Sequence, residues 1–570
     1  MSTKDVIDIA LGTEKAEIVL KNADLVNVCS GEIYETDIAI ARGLIVGLGN
    51  YNGRKEIDAT DEYAVPGLID GHTHIEMSML SVREFAKAVV PRGTTAVVED
   101  PHEIANVLGL EGIKAILAEA RTTPLKVCCM APSCVPSTEP SRGLETSGAS
   151  IGHKELRELL TMEGVIGLSE VMNYPGVITK EDEIWKKIEV AKAFKTTIDG
   201  HAPLLSGKAL NAYVLSGVGS DHENASYGEA REKLRLGMRV MVREGSAAQN
   251  LHAIAPLLNS VDTRNCMLVT DGDRSLRDLK EEGYLDHVVR RAVEEGLDPV
   301  QAVQLCTINP AQWFKLDHWI GSISPGKCAD IVLLRNLERF DVNSVLVNGA
   351  TDWAHRTAYT PEHTYPQFGS SVRITRIQPE DFAIPLKGTK RARIIGLRAG
   401  ELLTEEIIEE LNGIDTARDI LKIAVVERHH YSGNIGVGFV KGFGLKHGAV
   451  ASSIAHDSHN IVVIGTTEAD MAFACNRLKA IGGGIVLCSE EKVMNELALP
   501  IAGLMSDKGL NEVAEKQRAL EEQIAAMGCE LPAPFITLSF LALPVVPKLK
   551  ITDKGLVDVE KQEIVPIFCE

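Results

Sequence analysis

Two histidines separated by one residue end an apolar run in the segment VPGLIDGHTHIE, residues 65–76. Side chains of an extended strand alternate between its two faces, so His72 and His74 leave the backbone on the same side. Imidazole nitrogens are common ligands of divalent transition metals, and two on one face can hold the same ion. The pair therefore indicates a metal site at the end of a buried strand.

Further ionisable side chains follow other apolar runs of similar length. In chain order they are Glu99, Asp100, His102, Glu103, Glu170, His201, His222 and Asp271. If the runs are parallel strands, their carboxyl ends meet at one edge of the fold, and these side chains converge on one cleft. Burying so many ionisable groups without a counter-ion would cost several kcal/mol each, and a divalent cation removes that cost.

The residue types also indicate two metal ions and a hydrolytic water. We expect one ion at the histidine pair that ends the first strand. We expect a second ion at His201 and His222, with Asp271 completing a ligand shell. A carboxylate that bridges two ions holds them close enough to share one water and to lower its pKa toward neutrality, which produces a hydroxide nucleophile. Imidazole and carboxylate ligands without thiolate suit manganese, iron or zinc and do not decide among the three.

The pattern of apolar runs predicts an α/β fold built around a barrel. From residue 66 to 320, eight short apolar runs alternate with longer stretches such as KEDEIWKKIEVAKAFK, whose apolar residues recur at helical spacing. Eight strand–helix units of this length are what a (β/α)8 barrel requires. We therefore predict a catalytic barrel over residues 66–320.

Other β-rich and mixed segments flank this barrel. Residues 1–65 and 321–380 are predicted to join into one composite β-sandwich module. Segment 357–368, TAYTPEHTYPQF, is interpreted as a linker because of its prolines and tyrosines. From 381 to 570, strands such as KIAVVERHH alternate with helices such as DMAFACNRLKAI, which predicts an additional C-terminal α/β domain.

The bulk composition argues against several classes of partner. The chain has 570 residues, of which 45% are hydrophobic and 24% charged, as in ordinary globular proteins. Its formal net charge of -20 leaves no basic excess for a nucleic acid or an anionic membrane. The N-terminal segment lacks the apolar core of a signal peptide, and the 11 cysteines show no disulfide spacing. We expect a cytoplasmic protein with reduced thiols and no nucleic-acid or membrane partner.

The order of the strand-end residues resembles the amidohydrolase superfamily: a histidine pair after strand one, histidines after strands five and six, and an aspartate after strand eight. Within it, the chain resembles the adenine deaminases of the bacterial type through nearly its whole length. The matching segments are GLIDGHTHIEMSM, EDPHEIANVLG, APSCVPS, SEVMNYPGV, GVGSDHE and GNIGVGFVKGFGLKHGAVASSIAHDSHNIVV. The resemblance implies hydrolytic deamination of the free purine base adenine to hypoxanthine and ammonia at a binuclear metal centre.

One position departs from the pattern of that superfamily. Many binuclear members carry a carboxylated lysine at the end of strand four, whereas the segment GVIGLSEVMNYPG has no lysine and offers Glu170. A glutamate can bridge two cations through its two oxygens, so we assign Glu170 as the bridging ligand. The alternative is that Glu103 is the ligand, with Glu170 behind the metal shell or in the core.

The resemblance also implies roles for residues that act on the substrate. Attack of hydroxide at C6 of a purine needs a proton on a ring nitrogen. His102 and Glu103, in the loop after strand two, are the predicted catalytic pair, with Glu103 as the acid for N1; elsewhere such a glutamate would be a surface or helix-capping residue. Asp271 is expected to orient the hydroxide, take its proton and pass it to the leaving amino group. Ser133 either contributes to the ring pocket or forms a turn with Pro132.

Two features of the C-terminal domain carry no assigned chemistry. His456, Asp457, His459 and Asn460 form a polar cluster that either reaches over the barrel mouth or makes a local hydrogen-bond network. The glycines at 433, 436 and 438 have neither Rossmann nor Walker spacing. We predict that they serve turns and tight strand packing.

Two rival functions remain open from the sequence. One is another amidohydrolase, which acts on a cyclic amide or a different nucleobase with the same hydroxide. The other is a catalytically silent protein that binds a purine or a metal for regulation. In each case the small-molecule partner and water are the expected ligands, and we expect the chain to form a homo-oligomer.

Overall fold

The computed structural model describes residues 3–351, 370–386, 388–398 and 403–569. The linker predicted at 357–368 lies outside these ranges. None of the helices within the described ranges combines the length and the apolar character that crossing a membrane would require.

The chain begins with a short helix at Ile7–Ala10 and a group of β-strands. These strands are Ala16–Asn27 (β1), Glu32–Ala41 (β2), Leu44–Leu48 (β3), Gly53–Asp58 (β4) and Tyr63–Pro66 (β5). The long strand β1 lies at the centre, because it pairs with β2 on one side and with both β4 and β5 on the other.

Eight parallel strands follow, as the sequence predicts. They are Leu68–Thr73 (β6), Thr94–Glu99 (β7), Lys126–Ala131 (β8), Val165–Val171 (β9), Thr197–Gly200 (β10), Ser220–Asp221 (β11), Arg239–Arg243 (β12) and Cys266–Val269 (β13). Strands β6 to β10 form a five-stranded sheet and β11 to β13 a three-stranded one. A backbone hydrogen bond of 3.0 Å crosses each seam, from the Gly219 N–H to the Ile198 carbonyl and from the Asp271 N–H to the His72 carbonyl. The two sheets thus meet at both seams and form the predicted barrel.

Helices connect successive barrel strands, and four more follow the last of them. They are Val82–Val89, His102–Leu108, Leu110–Ala120, His153–Leu159, Tyr174–Thr179, Asp182–Phe194, Gly207–Leu215, Tyr227–Arg235, Leu251–Leu258, Leu276–Glu281, Leu285–Glu294, Pro299–Leu305 and Ile308–Trp313. Local signals start several of them; the Ser81 hydroxyl, for example, accepts a hydrogen bond from the Glu84 N–H at the first turn. Because helices lie over the parallel strands, β6 and β7 are buried along their whole length.

Two strands after the barrel complete the first module. Ile331–Asn336 (β14) pairs antiparallel with β5, and Asp341–Leu346 (β15) pairs with β14. The sheet order is β15-β14-β5-β1-β2-β3, with β4 beside β1. Strands from both flanks of the barrel therefore share one sheet, and the domain boundaries given above stay a prediction.

The C-terminal part contains a second large sheet. Its strands are Lys390–Leu397 (β16), Thr404–Leu411 (β17), Ile420–Val426 (β18), Ile435–Lys441 (β19), Ala449–Ser452 (β20), Ile461–Gly465 (β21), Gly484–Ser489 (β22) and Lys492–Ala498 (β23). Three short strands follow, Leu549–Thr552 (β24), Gly555–Asp558 (β25) and Glu563–Val565 (β26), and the helices are Glu468–Ile481, Leu510–Ala526 and Pro534–Phe540. This mixture confirms the predicted α/β character of the C-terminal part.

The glycines near the start of β19 serve the turn and the close packing that the sequence predicts. Gly433 has a φ of +76°, which is typical of a turn glycine. A Cβ at Gly438 would lie 3.0 Å from a methyl group of Leu556, and a Cβ at Gly436 would overlap the carbonyl oxygen of Thr552 in β24. Strands β24 and β25 therefore pack directly on the backbone of β19.

We expect Gly436→Ala to destabilise the protein by about 1–3 kcal/mol, because the added methyl group must push two strands apart. Thermal and denaturant unfolding of the two proteins measure the difference. Gly228→Ala is the matched control, since a Cβ there meets nothing within 4 Å and alanine favours the helix. Equal melting temperatures for the two variants would contradict this interpretation of the glycine.

Candidate active site

The predicted ligands come together at the carboxyl ends of the barrel strands. Groups of side chains whose ligand atoms lie within 4.8 Å of one another include His72, His74 and Asp271; His72, Glu170 and His222; and His201, His222 and Glu223. All six residues predicted as metal ligands from the sequence belong to these groups. The structure places them in one connected cluster.

The histidine pair of β6 faces Asp271, which follows β13. The Nε2 atoms of His72 and His74 each lie 3.2 Å from Asp271 Oδ1. The Nδ1 of His74 is 2.9 Å from the carbonyl oxygen of Asp100, so the Nδ1–H donates there and Nε2 is the ring nitrogen that faces Asp271. Asp271 itself has a φ of +58°, an uncommon conformation that turns its carboxylate toward the pair.

Glu170 lies between the two histidine pairs. Its Oε1 is 3.6 Å from His74 Nε2, whereas its Oε2 is 2.8 Å from His201 Nδ1 and 3.4 Å from His222 Nε2. Burial alone would raise the pKa of Glu170, but the surrounding histidines outweigh it and hold that pKa well below its usual range. The side chain is therefore an ionised carboxylate with one oxygen toward each pair, an arrangement that suits the predicted bridging role.

A further group joins this cluster from the loop after β7. His74, Asp100, His102 and Glu170 have ligand atoms within 4.8 Å of one another. Asp100 Oδ2 is 3.1 Å from His102 Nδ1, and His102 Nδ1 is 3.6 Å from Glu170 Oε1. His102, predicted as a catalytic residue, thus stands beside the candidate metal ligands, and Asp100 stands with it although the sequence assigned it no role.

The cluster fits a divalent metal on its own chemistry. Several of its buried donor atoms lie close to one another without making a hydrogen bond of good geometry: His72 Nε2, both Asp100 carboxylate oxygens, His102 Nδ1, Glu170 Oε2 and His222 Nδ1. Buried polar atoms are ordinarily hydrogen-bonded, and donors gathered in this way suit a divalent cation as their common partner. The donors are imidazole nitrogens and carboxylate oxygens, which suit a divalent transition metal.

Glu103 lies at the edge of the cluster and faces the C-terminal domain. Its Oε1 is 3.5 Å from His102 Nε2 and 2.7 Å from His456 Nδ1, and its Oε2 is hydrogen-bonded to His459 Nε2. Burial alone would raise the pKa of Glu103, but the three histidines around it hold that pKa well below its usual range. Of the two interpretations of the C-terminal polar cluster, the structure favours the one in which it reaches the barrel mouth.

Both the hydroxyl and the carbonyl group of Ser133 make hydrogen bonds within the barrel. Its Oγ donates to the carbonyl oxygen of Glu170, and its own carbonyl accepts from Lys187 Nζ at 2.6 Å. The serine is buried and ties the end of β8 to the end of β9. Its contact with a substrate ring stays a prediction.

Arg243, at the end of β12, is a site residue that the sequence did not suggest. Its Nη1 lies 2.8 Å from Glu223 Oε1 and 2.7 Å from Asp271 Oδ2. Burial would raise the pKa of Asp271, but nearby histidines and this guanidinium hold it well below the usual range. Arg243 therefore fixes the second oxygen of Asp271 while the first faces the histidine pair.

We expect Arg243→Met to lower kcat/KM by about 10-fold or more, because a charged hydrogen bond to Asp271 is lost and two carboxylates then face each other without a cation between them. Steady-state kinetics and metal analysis measure the effect. Arg243→Lys is the control of equal charge: its ammonium keeps a cation between the two acids but loses the second contact with Glu223 that Nη2 makes at 3.2 Å. If both variants matched the parent protein, the bridging role would be wrong.

An apolar cavity adjoins the cluster. Its lining includes Met77 and Gly272 from the barrel loops and Ile454, His456 and Phe540 from the C-terminal domain. Gly272 directly follows Asp271 in the chain, and the His456 ring lies 4.7 Å from the Phe540 ring, centroid to centroid. The cavity thus offers apolar and aromatic surface next to the ionisable cluster, as a site for a flat ring would.

Comparison with known proteins agrees with this geometry. The amidohydrolase family model matches residues 63–351, and the model of the adenine deaminase C-terminal domain matches residues 401–563. The barrel and its cluster thus define a metal-dependent hydrolase of the amidohydrolase family. The adenine deaminase of Archaeoglobus fulgidus is 53% identical over 566 residues, 99% of this chain and 98% of that protein. The chain belongs to the adenine deaminase family.

A second relative gives the same result over the same length. An adenine deaminase of Dehalococcoides mccartyi strain BAV1 is 44% identical over 569 residues, 98% of this chain and 98% of that protein. A crystal structure of a β-aspartyl dipeptidase from Fervidobacterium islandicum AW-1 is 18% identical, covers 59% of this chain and 96% of that chain, and has a TM-score of 0.44. The family membership rests on the sequence matches.

Proposed function

We propose that the protein hydrolyses adenine to hypoxanthine and ammonia. The observation that carries the proposal is the cluster of strand-end histidines and carboxylates beside an apolar cavity, in a chain that matches proteins named adenine deaminase over almost its full length. Adenine and water are then the small-molecule partners, and hydroxide attack at C6 displaces the amino group.

We propose two divalent transition-metal ions, manganese or iron with zinc as the third choice, as cofactors. His72, His74 and Asp271 would hold one ion, His201 and His222 the other, and Glu170 would contact both. When bound, such ions lower the pKa of water and supply a hydroxide nucleophile at neutral pH. His102 and Asp100 stand close enough to His74 and Glu170 to act as additional ligands or as supports for them.

In this proposal Glu103 moves a proton to N1 of the purine as C6 is attacked. The position of its carboxylate supports the role, because it is buried at the edge of the cluster and its oxygens are aimed by neighbouring imidazoles. As an ionised group it first takes up one of the two protons of the attacking water and then delivers it to N1, with His102 beside it as the second member of the catalytic pair.

Asp271 is proposed to orient the attacking hydroxide, accept its proton, which is the second proton of the water, and pass it to the departing amino group. Its Oδ1 faces His72 and His74, and Arg243 holds its Oδ2. The reaction then balances as adenine plus water giving hypoxanthine plus ammonia. The purine would lie in the cavity lined by Met77, Ile454 and Phe540, where apolar surface can contact both ring faces.

Ammonia release by the purified, metal-analysed protein tests the proposal. We expect adenine to give equal amounts of hypoxanthine, measured by ultraviolet absorbance, and ammonia. Adenosine, guanine, cytosine and a cyclic amide are tested in parallel. Faster hydrolysis of the cyclic amide or of another base would make the chain a different amidohydrolase. Binding of adenine without turnover, at full metal content, would make it a silent member of the family.

We also propose a cytoplasmic location and a homo-oligomer in solution. The acidic net charge of -20 supports the cytoplasmic location, because the chain has no excess of basic residues with which to bind a membrane or a nucleic acid. Cell fractionation checks the location. Light scattering of the full chain at several concentrations measures the oligomeric state, and a mass equal to one chain throughout would contradict the second proposal.

A further inference from the structure

Two side chains of the C-terminal domain contact Glu103, which lies at the mouth of the barrel. His456 Nδ1 lies 2.7 Å from its Oε1, and His459 Nε2 is hydrogen-bonded to its Oε2. All three side chains are buried. Each carboxylate oxygen of Glu103 thus has its own imidazole partner from a part of the chain that lies more than half the sequence away.

The hydrogen bonds define which ring nitrogen donates. His459 Nδ1 accepts from the Ala455 N–H at 3.2 Å, so the proton of a neutral His459 is on Nε2, the atom that faces Glu103. His456 presents its other nitrogen, Nδ1, to the carboxylate. An ionised carboxylate only accepts hydrogen bonds, so both imidazoles are donors, one through Nδ1 and one through Nε2.

The loop that carries the two histidines is held firmly on both sides. Arg428 is fully buried and donates to the carbonyl oxygens of His459 and, at 3.0 Å, of Ala502. Asn460 Nδ2 donates to the carbonyl oxygen of Thr146, in a barrel loop, at 2.8 Å. The Thr146 hydroxyl in turn donates to Asp553 at 2.7 Å. The loop therefore presents its imidazoles to the barrel in a fixed orientation.

We propose that His456 and His459 are positioning residues for the Glu103 carboxylate, so that the C-terminal domain completes the active site of the barrel. The inference rests on the proposed function, because it assigns the two histidines to the side chain that delivers a proton to the purine. Two donors on two oxygens fix both the position and the rotation of a carboxylate, which proton transfer to a bound ring requires.

The side chains of asparagine and glutamine place their amide nitrogen at different distances from the backbone. This difference allows the Nδ1 donor of His456 and the Nε2 donor of His459 to be tested separately. An asparagine nitrogen occupies about the position of a histidine Nδ1, and a glutamine nitrogen about that of Nε2. We therefore expect His456→Asn to keep about 10-fold more kcat than His456→Gln, and His459→Gln to keep about 10-fold more than His459→Asn. KM for adenine and metal content are expected to change little in all four variants.

His430 provides the matched control. It also crosses from the C-terminal domain to the barrel, where its Nε2 donates to the carbonyl oxygen of Ser147 at 2.9 Å, but it does not contact Glu103. We expect His430→Gln and His430→Asn to retain the parent kcat. If all six variants lost activity in proportion to their loss of melting temperature, the histidines would be interdomain packing residues and the inference would be wrong.

Two further measurements separate this inference from the proposed function. In protein labelled with isotope-enriched histidine, we expect ring N–H signals from His456 Nδ1 and His459 Nε2 that shift in Glu103→Gln, whether or not adenine is turned over. Their absence overturns the inference even if some variants fail to fold. Loss of a metal equivalent in His456→Asn or His459→Gln also overturns it, because the three side chains would then be a metal site. Absence of adenine turnover in the parent protein contradicts only the proposed function.

Discussion

Replacing Glu103 by glutamine is expected to abolish ammonia release from adenine while the protein keeps its metal. The amide has the size of the carboxyl group but cannot take up and deliver a proton, so general acid catalysis at the ring nitrogen is lost. Such catalysis contributes about 10²- to 10⁴-fold to a rate. Initial rates of ammonia formation and metal analysis of the same preparation measure the two quantities together.

The control for this variant is Glu111→Gln, which makes the same chemical change at an exposed helix position. It is expected to leave rate, metal content and melting temperature unchanged. Loss of metal from Glu103→Gln would contradict the assignment of Glu103 as the proton donor. It would show that Glu103 is the bridging metal ligand, the role that is assigned here to Glu170. A rate close to that of the parent protein would remove Glu103 from the reaction.

Glu170→Gln is expected to remove both metal and activity. The carboxylate contacts both histidine pairs, with Oε2 2.8 Å from His201 Nδ1 and Oε1 3.6 Å from His74 Nε2. A neutral amide cannot balance the charge of two cations in a buried site, and it offers a single oxygen as a ligand. We expect a loss of at least one metal equivalent after dialysis and a fall in rate of about 10³-fold or more.

Glu183→Gln tests whether any glutamate next to a histidine has this effect. Glu183 pairs with His153 Nδ1 at 3.0 Å, away from the cluster and only partly buried, so its replacement is expected to change neither metal content nor rate. Retention of full metal by Glu170→Gln would contradict the bridging role. In that case Asp100, whose carboxylate lies with His74, His102 and Glu170 in one group of possible ligands, becomes the candidate bridge.

The positions of the strand-end ligands could be predicted from the sequence because they depend on simple geometry. Parallel strands deliver the residues at their carboxyl ends to one place, and alternation along β6 puts His72 and His74 on one face. The eight strands, their connecting helices and the composite first module follow from the same periodicities. The sequence identifies Glu170 as the candidate bridging ligand. The structure adds its distances to both histidine pairs, which suit a carboxylate that contacts two ions.

Other contacts of the site could not be predicted, because they depend on tertiary packing. The sequence brings Asp100 and His102 to the mouth of the barrel and predicts His102 as catalytic, but both lie where a strand gives way to a helix, so periodicity does not state which side chains they contact. In the sequence Arg243 is one polar residue at the end of β12, and only the folded structure shows that it contacts Asp271. The pairing of His456 and His459 with Glu103 requires the docking of two domains, which no local pattern encodes.

The pairing of β5 with β14 has a consequence for synthesis of the chain on the ribosome. The first module emerges with one edge of β5 unpaired, and the strand that covers it is made only after the entire barrel. Until then that edge is a template for pairing with a neighbouring nascent chain. A truncated chain that ends after the barrel, before β14, keeps the edge permanently open, and we expect it to aggregate during expression even if its barrel folds.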